Sequence, residues 1–109
     1  MGRSKSELFS AQQNRIASLA KAFSHPARVA ILQYLFKIDT CVCGSLVDEI
    51  GLSQPTISQH LKELKTLGLI QGRVEGTSVC YCVAPEQWDA MKQVMTAFLN
   101  REAPHVDCC

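Results

Sequence analysis

The sequence predicts a mainly α protein with one small β-hairpin: a winged helix-turn-helix in ααααββα order, dimeric, filling a single domain over residues 1–109. Three observations carry that expectation. Residues 46–66 divide into two short helical stretches around Gly51-Leu52, the pattern of a helix-turn-helix. Directly after Gly68 the apolar period changes from helical to two, the period of strands. Amphipathic stretches on either side of this unit provide the helices that cover it.

Residues 8–23 are expected as the first helix, with Leu8, Phe9, Ile16, Leu19, Ala20 and Phe23 recurring at helical spacing. Ser24-His25-Pro26 ends it and begins the next, since Pro is accepted in a first turn and Ser24 or His25 can cap it. That second helix spans residues 26–37 and buries Val29, Ile31, Leu32 and Leu35. Ser45, with Asp48 three residues on, resembles a capping box for a short helix over 46–50. Ser53 caps the following helix, which tolerates Pro55 in its first turn and ends near Thr66, with Gly68 where a left-handed residue is wanted. Ile57, Leu61 and Leu64 form its buried side.

Residues 69–75 and 78–83 are expected as strands joined by a Gly76-Thr77 turn. On the second strand Val79, Tyr81 and Val83 share one face and Ser78, Cys80 and Cys82 the other. A last helix runs over 85–100, and residues 101–109 form a flexible tail. The last helix carries Trp88, Met91, Met95 and Phe98 on one side, more apolar surface than a lone surface helix needs. Pairing the first and last helices with a second copy would bury it and create the two-fold symmetry of paired DNA half-sites.

With 109 residues the chain suits one compact domain, and 47% apolar content marks it as a folding sequence. A net charge of +1 means that DNA binding must rest on the placement of charge, not on its total. No apolar run approaches the ~20 residues that span a bilayer, and no signal peptide is evident, so a soluble, cytoplasmic protein without membrane partners is expected.

The second helix of the helix-turn-helix places Ser53, Gln54, Thr56, Ser58, Gln59 and His60 around its first turns. N-terminal residues of a recognition helix reach base edges in the major groove, where Gln pairs bidentately with adenine. Lys62 and Lys65 stand further along, at positions suited to backbone phosphates. Arg73 on the hairpin would reach a neighbouring minor groove or phosphate of double-stranded operator DNA.

The six cysteines form three close pairs: Cys41/Cys43, Cys80/Cys82 and Cys108/Cys109. Disulfide scaffolds use wider spacings, so reduced thiols for a soft metal or metalloid fit better. Two thiolates one residue apart on an extended segment point the same way, which lets Cys41 and Cys43 bite one soft ion. As(III) prefers three sulfurs, and Cys108 or Cys109 is the expected third donor. Cys80 and Cys82 could form a second site on the wing's outer face, but they are taken as small apolar residues of the wing, and no organic cofactor is expected. Glu86 and Asp89 lack a histidine on their own helix, so a zinc or nickel site there is not expected.

Two motifs sharpen the reading. Leu19-Ala20-Lys21-Ala22-Phe23-Ser24-His25-Pro26-Ala27-Arg28, followed by Ile31-Leu32, resembles the opening signature of the ArsR/SmtB family of metal-sensing repressors. Gly51-Leu52-Ser53-Gln54-Pro55-Thr56-Ile57-Ser58-Gln59-His60-Leu61, running on to Leu67-Gly68-Leu69-Ile70, is similar to that family's recognition-helix motif. The resemblance covers residues 16–83 and implies a winged-helix homodimer that releases its operator when an inducer binds. Its arsenic-sensing members carry a similar Cys-Val-Cys, commonly followed by Asp-Leu. Here the pair lies one residue earlier, counted back from Ser53, and Gly44-Ser45 stands where Asp is usual.

The resulting expectation is a repressor that leaves its operator when arsenite, or a related trivalent thiol-seeking species, binds its thiolates. Redox- or persulfide-responsive and Cd/Zn-responsive repressors are the alternatives. An enzyme such as an arsenate reductase is not expected, because no Cys-x-x-Cys follows a strand and no phosphate loop appears. A metal chaperone would leave the recognition helix and wing unexplained.

Overall fold

The structure, a computed structural model, describes residues 5–38, 41, 44 and 46–107. Its elements are α1 (Lys5–Leu8), α2 (Ala11–Ala20), a 3-10 turn (Lys21–Phe23), α3 (Pro26–Lys37), α4 (Leu46–Ile50), α5 (Gln54–Thr66), β1 (Ile70–Glu75), β2 (Ser78–Val83) and α6 (Pro85–Leu99).

The helix expected over residues 8–23 is three pieces. Ser10 is extended, its Oγ accepts the Gln13 N–H at 3.0 Å, and Gln13 Oε1 accepts the Ser10 N–H at 2.9 Å. This reciprocal capping box starts a new helix in the middle of an unbroken apolar period. At the far end, the Ser24 N–H and the Arg28 guanidinium both donate to the Lys21 carbonyl, at 3.3 and 2.6 Å, and the last turn tightens. His25 then caps α3, its Nδ1 accepting the Ala27 N–H at 3.0 Å, with Pro26 in the first turn.

Residue Ser45 and the capping box expected from it lie outside the described residues. The end of α5 is a Schellman motif. Leu69 N–H bonds the Leu64 carbonyl and Gly68 N–H the Lys65 carbonyl, with Gly68 at φ +81°. The strand therefore begins at Ile70, one residue later than expected, because the Leu69 N–H closes the helix.

Strands β1 and β2 pair antiparallel, from Ile70 opposite Val83 to Glu75 opposite Ser78, across a two-residue Gly76-Thr77 turn. Opposed residues share a face, so Gln71, Arg73, Cys80 and Cys82 lie on one side and Gly72, Val74, Val79 and Tyr81 on the other. Gly72 is a close approach: a Cβ there would stand 3.3 Å from Val79 Cγ1 and 3.4 Å from the Tyr81 ring.

The core joins Leu19, Ile31, Leu32 and Leu35 to Leu46, Ile57, Leu61 and Leu64, and to Leu69, Ile70 and Met91. Each such side chain contributes about 1.5–3 kcal/mol on leaving water. Val29, expected inside, is half-buried. Trp88 of α6 packs edge-on to Phe36 at 4.7 Å and to Phe23 at 6.4 Å. Phe98 and Leu99 at the end of α6 are exposed, as are Leu8 and Phe9 at the other end of the chain. Among the described residues no helix is long and apolar enough to cross a membrane.

Candidate DNA-reading face and thiol groove

Helix α5 divides cleanly. Ile57, Leu61 and Leu64 anchor it in the core, while Gln54, Thr56, Ser58, Gln59 and Lys62 are exposed. No acidic residue stands in its first turn, so its positive dipole end is uncompensated. Ser53 is the N-cap residue, but its hydroxyl pairs with Thr56 Oγ1 at 3.0 Å and not with a backbone N–H. Gln54 Nε2 donates to Ser58 Oγ at 3.1 Å. The free N-terminal amides and this row of amide and hydroxyl groups can meet phosphate and base edges together.

His60 departs from expectation. It is 7% exposed and turned inward, where Nδ1 accepts from Arg28 Nε at 3.2 Å and the ring lies tilted against His25, centroids 4.5 Å apart. Burial holds its pKa below the usual 6.5, with His25 and Arg28 adding to the effect and Glu63 opposing it. His60 is therefore a strut between α5 and the start of α3, not a member of the exposed polar row. Arg28 completes the strut through the Lys21 carbonyl and, at 3.4 Å, Ser24 Oγ.

Lys65 is exposed but leans over β1, with Nζ 3.6 Å from where a Gly72 Cβ would stand. Arg73 is exposed and paired with Glu75 at 3.1 Å, a surface contact of small energetic weight that leaves the guanidinium available to a phosphate.

The cysteines are arranged otherwise than expected. Cys80 is buried at 1% exposure and disulfide-bonded, which corrects the expectation of reduced thiols throughout. Its sulfur lies 3.7 Å from Glu75 Oε2, a contact and not a hydrogen bond, since a disulfide sulfur has no proton to give. Cys41 and Cys82 are free, and their thiols are hydrogen-bonded to each other. That bond first, and burial second, raise the Cys41 pKa, so Cys41 holds its proton at neutral pH; Arg73 pulls the other way. Both sulfurs line an open groove of about 440 Å³ with Leu35, Phe36, Ile38, Arg73 and Val83. Cys43, Cys108 and Cys109 lie outside the described residues.

Comparison with known proteins decides the family. The family model described as bacterial regulatory protein, arsR family, matches residues 25–71. A helix-turn-helix transcriptional regulator of Methanocaldococcus jannaschii is 39% identical over 74 residues, covering 67% of this chain and 82% of that protein. The chain belongs to the arsR family of bacterial regulatory proteins. The repressor SmtB of Mycobacterium tuberculosis is 41% identical over 66 residues, and the match spans 61% of this chain and about half (48%) of that repressor. Among solved structures, the transcriptional repressor BigR of Xylella fastidiosa superposes with TM-score 0.60 at 28% identity, over 93% of this chain and all of that one. A homodimeric winged helix-turn-helix DNA-binding domain of Mycobacterium bovis gives TM-score 0.64 at 24% identity, over 95% and 98%, and shares the fold.

The arsR-family match covers the His25-to-Gln71 span, which includes the whole exposed row of α5 but stops before β2. The two features that sequence reasoning missed are the His25–Arg28–His60 strut and the meeting of Cys82 with Cys41. A signal for the second was present. Cys-x-Cys occurs in both segments of the sequence, and a period of two puts Cys80 and Cys82 on one side of β2.

Proposed function

We propose that this arsR-family chain is a homodimeric repressor that binds double-stranded operator DNA and releases it when a trivalent thiol-seeking species, arsenite first among them, engages its cysteines. The observation that carries the DNA-binding half is the exposed row Gln54, Thr56, Ser58 and Gln59 at the start of a core-anchored α5. These side chains, with Ser53, meet base edges and nearby phosphates, while Lys62, Lys65 and Arg73 hold the backbone on either side. The protein acts in the cytoplasm on DNA and has no catalytic role.

Dimerisation through the first and last helices has two supports. The apolar side chains Leu8 and Phe9 near the first helix and Phe98 and Leu99 at the end of the last are exposed. The chain is also extended, 56 Å in its longest dimension, with a radius of gyration of 17.2 Å. About 13 Å is usual for a compact chain of roughly this length. A second copy on this surface would give the two-fold pair of α5 helices that successive major grooves require.

For sensing, Cys41 and Cys43 are the proposed thiolate donors, with Cys108 or Cys109 as the sequence-based source of a third. Their place just before α4 lets an ion bound there tilt the helix-turn-helix. A coupling of ~1–3 kcal/mol lowers operator affinity by one to two orders of magnitude. The disulfide at Cys80 favours a second reading, in which oxidation of cysteines by peroxide or persulfide drives release.

The test is fluorescence anisotropy of a labelled fragment from the protein's own promoter, bound by reduced protein and titrated in parallel with arsenite, cadmium, zinc and peroxide. Release by arsenite supports the thiolate sensor. Release by peroxide alone replaces it with the redox sensor, and no DNA binding at any salt overturns the repressor.

A further inference from the structure

We infer that the wing takes part in sensing: Cys82 of β2 and Cys41 of the α3–α4 segment together grip one trivalent arsenical across the groove between them. This rests on the thiol-sensing reading above and revises its donor set, with Cys82 partnering Cys41 in place of Cys43 and a tail cysteine.

Four observations support the site. Cys41 and Cys82 line the same groove and are neighbours in it, Cys82 acting directly on the Cys41 thiol. Both face the same open groove, whose volume of about 440 Å³ admits a small arsenical with an organic substituent. One wall of the groove is apolar, formed by Leu35, Phe36 and Ile38, and Arg73 stands at the other side to stabilise a thiolate as it forms. Cys82 is held in place: its strand register sets it opposite Gln71, whose amide donates to Cys82 Sγ at 3.5 Å.

The number of ligands selects the class of ion. Cys80 is withdrawn by burial and by its disulfide, which leaves two sulfurs in the groove among the described residues. Among the described residues no group of three or more His, Cys, Asp or Glu side chains is placed to hold a metal. Structural zinc wants four protein ligands. A trivalent arsenical is satisfied by two thiols, keeping a hydroxide or an organic group in its third position. With arsenous acid, two As–O bonds break and two As–S bonds form. Each thiol proton leaves with a hydroxide as water, and no electrons change hands.

The consequence for DNA comes from where the two sulfurs sit. One lies just ahead of α4 and the other on the strand paired with Arg73, through Cys80 opposite it and Cys82 two residues on. A ligand bonded to both ties the wing to the start of the helix-turn-helix, and filling the groove shifts Arg73, which lines it. Wing and recognition helix then no longer keep the spacing that operator DNA requires.

The experiment uses the full chain with Cys41 and Cys82 as free thiols and the Cys80 disulfide intact, and arsenite and phenylarsine oxide as probes. Wild type, Cys82→Ser, Cys41→Ser and the Cys108→Ser/Cys109→Ser double variant are compared for operator release by anisotropy. Iodoacetamide footprinting of the wild type reports which thiols each probe protects. Losing one of two linked donors forfeits the effective concentration of the pair, so each single variant should need about a hundredfold more probe or fail to respond. The double variant should respond as wild type, and Cys41 and Cys82 should be protected together. If Cys82→Ser responds normally, or Cys82 is alkylated while a tail cysteine is protected, the wing site is overturned and the arsenical sensor stands. If neither probe protects any thiol of the wild type or releases its DNA, both readings fall. Should Cys82→Ser not bind DNA, the wild-type footprint alone decides.

Discussion

Helix α5 and the β1–β2 wing both face the expected DNA, yet they are held in different ways. Helix α5 places four of its side chains in the interior, Ile57, His60, Leu61 and Leu64, and is closed at its end by a Schellman motif. Strand β1 buries only Ile70, at its base, and its remaining residues are exposed. Packing therefore fixes the reading helix along its length, whereas the hairpin is packed only at its base, through Ile70, Tyr81 and Val83, with the sulfur contacts of Cys80 and Cys82 beside them. A regulator that must read DNA accurately and still be switched gains from this division. On the functions proposed above, the stiff element reads, and the lightly anchored element carries the sulfur that an effector would reach.

The comparison is broken most severely through the core. Leu64 is fully buried, so Leu64→Ala should lose about 2–5 kcal/mol of stability. Thermal melts should show a Tm lower by about 10 °C or more, with operator affinity falling in step. A melt unchanged within error would mean that α5 is not held by packing. Next in size is the reading face. Gln59→Ala should cost about 1–3 kcal/mol of operator discrimination while leaving the melt untouched. An equal loss on operator and on unrelated DNA would move Gln59 to the phosphate contacts.

The wing should yield a smaller and less selective effect. Arg73→Ala should weaken binding about equally on all sequences and reduce the slope of log affinity against log salt by about 1. A change in sequence preference instead would make the wing a reader in its own right. The smallest effect is on pH. The folded state holds His60 neutral below its ordinary 6.5, so the unfolded chain binds the proton first. The stabilisation is present above about pH 6.5 and is lost as pH falls through the lower folded value. Melts between pH 7.5 and 5 should show that decline for the wild type and a flatter profile for His60→Gln. Identical profiles would remove His60 from the strut.

Local signals are legible where neighbours in sequence settle the matter. Pro26, Ser53, Gly68 and the Gly76-Thr77 turn mark their boundaries because each acts within a residue or two of itself, and α3, α4 and β2 have the bounds that periodicity predicts. The break in the first helix escapes the pattern, because an apolar period says which side is inside but not whether the backbone is continuous; the Ser10–Gln13 capping box interrupts it. His60 escapes it for a related reason. A polar residue among polar residues looks exposed until the helix rotation is known, and here the rotation hides it behind Arg28 and His25.

From sequence alone came the winged helix-turn-helix, its family, and the row of amide and hydroxyl groups at the start of α5, because capping, period and motif are short-range properties. Only the tertiary structure decided which thiols meet. Cys41 and Cys82 are far apart along the chain, and neither segment's pattern encodes its distance from the other. That distance is set by how the hairpin folds back against the end of α3, where packing brings the two sulfurs to one groove.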